Sequence, residues 1–405
     1  MLKRYFLNNK KRNFSTASIW IKGGSDMDST GKKGINKILC SLLTRGCEGF
    51  NNFTLSEYIE SYGAELNQEV FEDGISISIK SLNEHFSKLF PLLDLIINKP
   101  ILSETEFKKV KKSSIDHIKK DKENPFNICF EKWRKIVYSN HPYAFNTIGN
   151  ANDVSKITYE DVLLEFKNFK NREKYLISNN PEINGENFGT LEKKILKEKS
   201  DPLNHNLNTT NRFDYINNDS NQTIIMMGDQ TCSRRSSEYF PLKVLESYLS
   251  YGMSAALFKL FREKHGITYD LGVYYPIRSG NAPFLIYLSV SNEQALFAFE
   301  LLSTLWKNLL FNPLTDAEIF LAKEKLKGSF LLGNQSLDEI LQRKIQLVSY
   351  GISPISENDL NSKIEEISSL DIFKLTNKYF SKPFLSISGN KNICLEISNR
   401  WKKNF

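Results

Sequence analysis

The side chains able to do chemistry are few and far apart. The five histidines are His85, His117, His141, His205 and His265, and no two stand within four residues of each other. No helix face can therefore offer the paired imidazoles of a zinc site. The five cysteines, Cys40, Cys47, Cys129, Cys232 and Cys394, are odd in number, widely spaced and free of any C-x-x-C pair. That argues against a thiolate metal site and a disulfide framework, and it fits a reducing compartment. Whatever site exists has to be assembled by the fold.

The material for a fold is ample. At 405 residues the chain predicts two compact units of roughly 200 residues each. With 40% hydrophobic and 25% charged residues, each can carry a core and a solvated surface. A formal charge of +7, from 54 basic and 47 acidic residues, is mild over this length. It is the charge of a solvated surface, and no nucleic-acid partner is expected. No apolar run approaches the ~18 residues of a membrane span, so no membrane partner is expected either.

A repeat orders the elements that must position a site. Residues 157–180 align without a gap on residues 367–390, Ile157 with Ile367, Asp161 with Asp371, Ile177 with Ile387 and Asn180 with Asn390. Each stretch reads as a Thr158 or Ser368 cap, an amphipathic helix and a short apolar strand. A second pair, Leu102–Phe107 with Leu314–Ile319, follows Pro100 and Pro313 at nearly the same offset. Both open a long charged helix with Ser or Thr followed by acids.

Tandem copies of one α+β fold follow, each a mainly antiparallel sheet packed with helices on one side. The first copy shows strands at Ser18–Lys22 and Ile75–Lys80 and helices at Ile35–Arg45 and Leu82–Asn98. Its counterparts in the second copy are Val244–Leu249 and Phe284–Val290 as strands, with Phe258–Lys264 and Glu293–Leu310 as helices. The expected division is residues 1–199, a polar linker at 200–221, and residues 222–405. The basic start, with Lys3, Arg4, Lys10, Lys11, Arg12 and Lys22 before the first acid Asp26, lacks the apolar core of a secretory signal. It is taken as a basic arm entering the first strand, and the expected compartment is the cytoplasm.

Several runs then sharpen the picture. Trp20–Ser25 leads into Gly34–Gly46; His141-Pro142-Tyr143 precedes Ile148-Gly149 and Ile157-Thr158; Gly252-Met253-Ser254 precedes Leu257-Phe258 and the stretch Phe261–Tyr269. In this order, from about residue 16 to 400, the chain resembles the insulinase or pitrilysin type of zinc peptidase. The likeness is to its half-sized, mitochondrial-processing-peptidase-like members, and it implies a clamshell of the two copies. Active members carry H-x-x-E-H on the first-copy helix, with a further Glu downstream as a zinc ligand. Here the two His positions fall on Lys37 and Ser41, the base Glu on Cys40 and the downstream Glu on His117. The resemblance thus implies no zinc in this chain and no independent hydrolysis.

The family's second-copy pair, an Arg and a Tyr that reach the substrate carbonyl, falls on Arg262 and Tyr269. A guanidinium and a phenol are both donors suited to the oxyanion of peptide hydrolysis. The glycines before Met253 are thinner than usual, and an Arg common in the next stretch is replaced by Ala256, which departs from the family's local substrate contacts. The implied function is the non-catalytic subunit of a heterodimeric zinc peptidase, paired with a homologous zinc-bearing chain and a short or unfolded peptide. The alternative is a catalytically inert peptide-binding or scaffold protein of the same fold.

Overall fold

The computed structural model describes residues 2–7, 13–180, 183, 186–187, 211–268, 270–332, 336–352 and 357–405. It is an α+β protein of two units, each built on one sheet. In the first sheet the strands are β1 (Leu2–Phe6), β2 (Phe14–Lys22), β3 (Glu65–Val70), β4 (Gly74–Leu82), β5 (Lys174–Ser178) and the two-residue β6 (Glu186–Asn187). They run in the order β3-β4-β2-β5-β1-β6. The second sheet holds β7 (Phe213–Asn217), β8 (Gln222–Gln230), β9 (Asp270–Tyr274), β10 (Pro283–Ser291) and β11 (Phe384–Gly389), in the order β7-β11-β8-β10-β9.

The two sheets share a register. Ile177 of β5 pairs in parallel with Tyr5, and Ile387 of β11 pairs in parallel with Tyr215. The other ladders are antiparallel, apart from the short β1–β6 pairing. The repeat seen at residues 157–180 and 367–390 is explained at atomic level. Thr158 and Ser368 each accept from the backbone N–H three residues on, and Asp161 and Asp371 each accept from the cap's own N–H. These reciprocal boxes satisfy donors that a helix start would leave bare.

Three expectations are corrected. Val244–Leu249 is not a strand but the heart of a helix, Tyr239–Ser250, with Leu242, Leu245 and Leu249 buried at helical spacing. Phe213–Asn217, assigned to the linker, is β7, the counterpart of β1; residues 200–210 of that segment lie outside the described ones. Leu82–Asn98 is two helices, Asn83–Leu89 and Pro91–Asn98, because Pro91 has no N–H to continue the first.

The units also do not follow the two halves of the chain. One is drawn from residues 1–120, 145–199 and 333–355, the other from 121–144, 200–332 and 356–405. The helix Pro125–Tyr138 thus packs on β7, β8 and β11, and the helix Leu337–Ser349 on β2 and β5. Each covers a sheet face of small polar residues. On β2 the even positions turn toward Leu337–Ser349, with Thr16 Oγ1 donating to Asp338 at 2.6 Å and Trp20 edge-on to Tyr350. On β11 Ser386 Oγ donates to the Cys129 carbonyl at 3.0 Å. Helices therefore cover both faces of each sheet, where the strand alternation predicted one. The opposite face of the first sheet carries Ala17, Ile19, Ile21, Ile75, Ile77 and Ile79, which form its core with Ile38, Leu39 and Leu42.

Candidate functional site

The helix Ile35–Leu43 holds three of the residues singled out above. Its start is built with care. Asp28 accepts from the Gly34 N–H at 2.7 Å, the Asn36 N–H at 3.1 Å and the Asn36 amide at 2.7 Å. The Asn36 side-chain Oδ1 accepts from Arg172, which also donates to the Gly23 backbone carbonyl and pairs with Glu165. Burial raises the Asp28 carboxyl to about 6, against the pull of these donors and of Lys33. Two glycines make the close approach possible. A Cβ on Gly149 would lie 2.1 Å from the Lys33 carbonyl oxygen, and one on Gly34 2.6 Å from that of Ile148. Both have positive φ, 79° and 100°.

From this anchored start the helix turns Ile35, Ile38, Leu39, Cys40, Leu42 and Leu43 inward. Lys37 and Ser41, one turn apart, share the half-buried face. Cys40 is fully buried, and burial pushes its thiol up to about 12; the Lys37 charge lowers it and the Glu69 charge on β3 raises it. A thiol held protonated is neither a base nor a metal ligand. His117 sits on an exposed position of the helix Glu104–Asp121, whose packed residues are Phe107, Val110 and Ile118.

An ammonium, a hydroxyl, a buried thiol and an imidazole on an exposed helix position do not fit zinc, which needs three good ligands and an open position. Among the described residues no three His, Cys, Asp or Glu side chains gather in a way that could hold a metal.

In the second unit, Arg262 lies on a seven-residue π-helix, Phe258–Lys264. Such wide turns are uncommon and concentrate at functional sites. Phe261 is buried and anchors the turn, while the Gly266 N–H closes it on the Arg262 carbonyl at 3.1 Å. The Arg262 guanidinium is exposed and stands 4.7 Å over the Phe258 ring. Tyr269 lies outside the described residues. It precedes Asp270, the first residue of β9, which is an edge strand.

Comparison with known proteins places this architecture. Residues 4–151 match the family described as Insulinase (Peptidase family M16), and residues 182–326 match the one described as Peptidase M16 inactive domain. The chain belongs to peptidase family M16. An uncharacterized zinc protease of Rickettsia felis is 23% identical, over 89% of this chain and 88% of its own length. Another, from Bacillus subtilis, is 22% identical over 96% and 99%. Among solved structures, a peptidase M16 inactive domain from Pseudomonas fluorescens superposes with a TM-score of 0.81 at 19% identity, covering 96% of this chain and 95% of that one. A protease from Helicobacter pylori gives 0.80 at 17%, covering 95% and 96%. These likenesses establish the shared two-sheet fold.

The resemblance drew attention to the helix Ile35–Leu43 and to Lys37, Cys40 and Ser41 on it. It did not reveal the Asp28–Asn36–Arg172 network. Only Asp28, six residues before Gly34, left a sequence trace, as an acid ahead of a helix start.

Proposed function

We propose that this chain is the non-catalytic subunit of a two-chain zinc peptidase. The observation that carries the reading is the asymmetry between its two site helices. The first is rigidly positioned yet offers Lys37, Cys40 and Ser41 where zinc chemistry needs two imidazoles and a carboxylate. The second keeps an exposed guanidinium, Arg262, on a wide helical turn. Relatives described as zinc proteases support a peptidase context. In this reading a homologous zinc-bearing chain, in the cytoplasm, supplies metal and base. Arg262 and Tyr269 then donate to the oxyanion as it develops on the substrate carbonyl, stabilising charge present only in the transition state.

The test is co-expression with a homologue that has an intact H-x-x-E-H, followed by peptide hydrolysis with each chain alone and with the pair. The reading requires that the pair be much faster than the homologue alone. Equal rates sink it. The second reading, an inert peptide-binding protein, is favoured by the position of β3 at a sheet edge, where an extended peptide can add as a strand. It predicts peptide binding by this chain with no change in the homologue's rate.

Among the described residues no helix is long and apolar enough to cross a membrane.

A further inference from the structure

The helix Asp316–Leu332 of the second unit packs by one side only. It buries Ile319, Ala322 and Leu326, and it lies against the helices Tyr239–Ser250 and Glu357–Glu365. Its other side carries Phe320, Leu321, Leu331 and Leu332, exposed at 66%, 40%, 56% and 64%. Ala317, Leu321, Glu324, Gly328 and Leu331 follow one another in steps of four and three, with Phe320 and Leu332 beside them. That is the spacing of a seam that takes a second helix.

Gly328 is an independent sign of the same thing. It stands inside the helix, where glycine is the costliest residue after proline. A Cβ added to it would meet nothing within 4 Å. Nothing among the described residues therefore calls for a glycine there, whereas a bulky side chain arriving from outside would.

The seam is complementary to itself. Two copies of the helix, laid antiparallel about a two-fold axis near Lys325, bring the Phe320 ring of each between Gly328 and Leu331 of the other, large against small. The same operation sets Glu324 of each copy opposite Lys327 of the other. Within one chain these two already pair at 2.7 Å, so four alternating charges meet at the axis. The helix as a whole balances Asp316, Glu318 and Glu324 against Lys323, Lys325 and Lys327, which does not suit an anionic lipid surface. We propose that this face joins two copies of this chain through an isologous helix–helix contact. The contact uses neither Arg262 nor the helix Ile35–Leu43, so it stands or falls apart from the two-chain peptidase reading.

The experiment is sedimentation velocity on the full chain from about 1 to 200 µM, with a dimer Kd expected on the order of 10 µM for an interface this small. Phe320→Glu is expected to weaken association about 100-fold. Gly328→Leu fills the gap between the copies and is expected to weaken association about tenfold, while thermal unfolding shows it no less stable than the parent.

Charge reversal tests the arrangement itself. Glu324→Lys alone and Lys327→Glu alone each set like charges across the axis, and each is expected to be monomeric. An equimolar mixture of the two restores opposite charges at both contacts and is expected to regain the dimer. Should Lys327→Glu not fold, since Lys327 also holds Glu365, Phe320→Glu and Gly328→Leu carry the test. A parent that stays monomeric throughout overturns the proposal, as does a Phe320→Glu variant that associates like the parent or a mixture that stays monomeric. A monomeric parent that sediments with vesicles of phosphatidylcholine and phosphatidylglycerol overturns it in favour of lipid.

Discussion

The same place in the two copies, the helix that follows β2 or β8, has been put to opposite use. In the first unit Ile35–Leu43 is capped by Asp28, clamped by the Gly34–Gly149 approach and closed over a fully buried Cys40. In the second, Tyr239–Ser250 begins without a side-chain cap and ends with Tyr251 as its C-cap. It is followed by a wide turn that leaves Arg262 in solvent. In the proposed reading, positions that no longer serve chemistry are drawn into packing, because a buried apolar side chain stabilises wherever it fits. Donors still exposed have not been drawn in.

The sharpest way to break this contrast is to remove Arg262. In the two-chain enzyme, Arg262→Ala is expected to lower the turnover rate on the order of 100- to 1,000-fold with little change in the stability of this chain, read from steady-state peptide hydrolysis and thermal unfolding. An unchanged rate would return Arg262 to the status of a surface charge.

Placing a carboxylate on the first helix tests the other side. Cys40→Glu places an ionisable group in a fully buried position and is expected to cost about 3 kcal/mol in urea unfolding. A cost near zero would mean that the position is not sealed. In the parent, the Cys40 thiol is expected to resist thiol reagents at pH 8 until the chain unfolds, because burial holds it protonated.

The caps should also differ. Asp28→Ala removes the acceptor of three hydrogen bonds at a buried helix start and is expected to cost about 2 kcal/mol. Glu238→Gln, at the uncapped start of the second helix, leaves no backbone donor bare and is expected to cost less than ~1 kcal/mol.

A last test is a pH dependence, spread over several pH units. Burial and the nearby Asp73 raise the Asp26 carboxyl to about 7 from 3.8, against the pull of Arg172. Asp26 therefore binds its proton more tightly in the folded state. Its contribution to stability is fully present below pH 3.8 and is lost as pH rises through about 7. The loss is at most ~1.4 kcal/mol per pH unit. Asp26→Asn, compared with the parent across that window, should become relatively more stable as pH rises. A difference that does not vary with pH would place Asp26 in solvent.

Much of the fold was legible in the chain. The capping boxes at Thr158 and Ser368 rest on hydrogen bonds spanning three residues, and so left a local signature at each copy. Motif order alone singled out Lys37, Cys40, Ser41 and Arg262, and the fold places them on the helices Ile35–Leu43 and Phe258–Lys264. Val244–Leu249 was misread because a short apolar run fits a strand or a buried helix, and only its neighbours decide. The β7 strand was missed because Phe213–Asn217 sits among Asn and Asp and is held by the β11 ladder rather than by its own composition.

The sequence by itself determined the duplication and the helix starts, since these depend on residues close together in the chain. Tertiary structure alone decided that Pro125–Tyr138 and Leu337–Ser349 cover the sheet of the other copy, and that Cys40 is sealed. The physical reason is that burial is a property of neighbours. The polar face of β2 finds its cover in residues more than 300 positions away, as Thr16 does in Asp338, and no local pattern records a contact made at that distance.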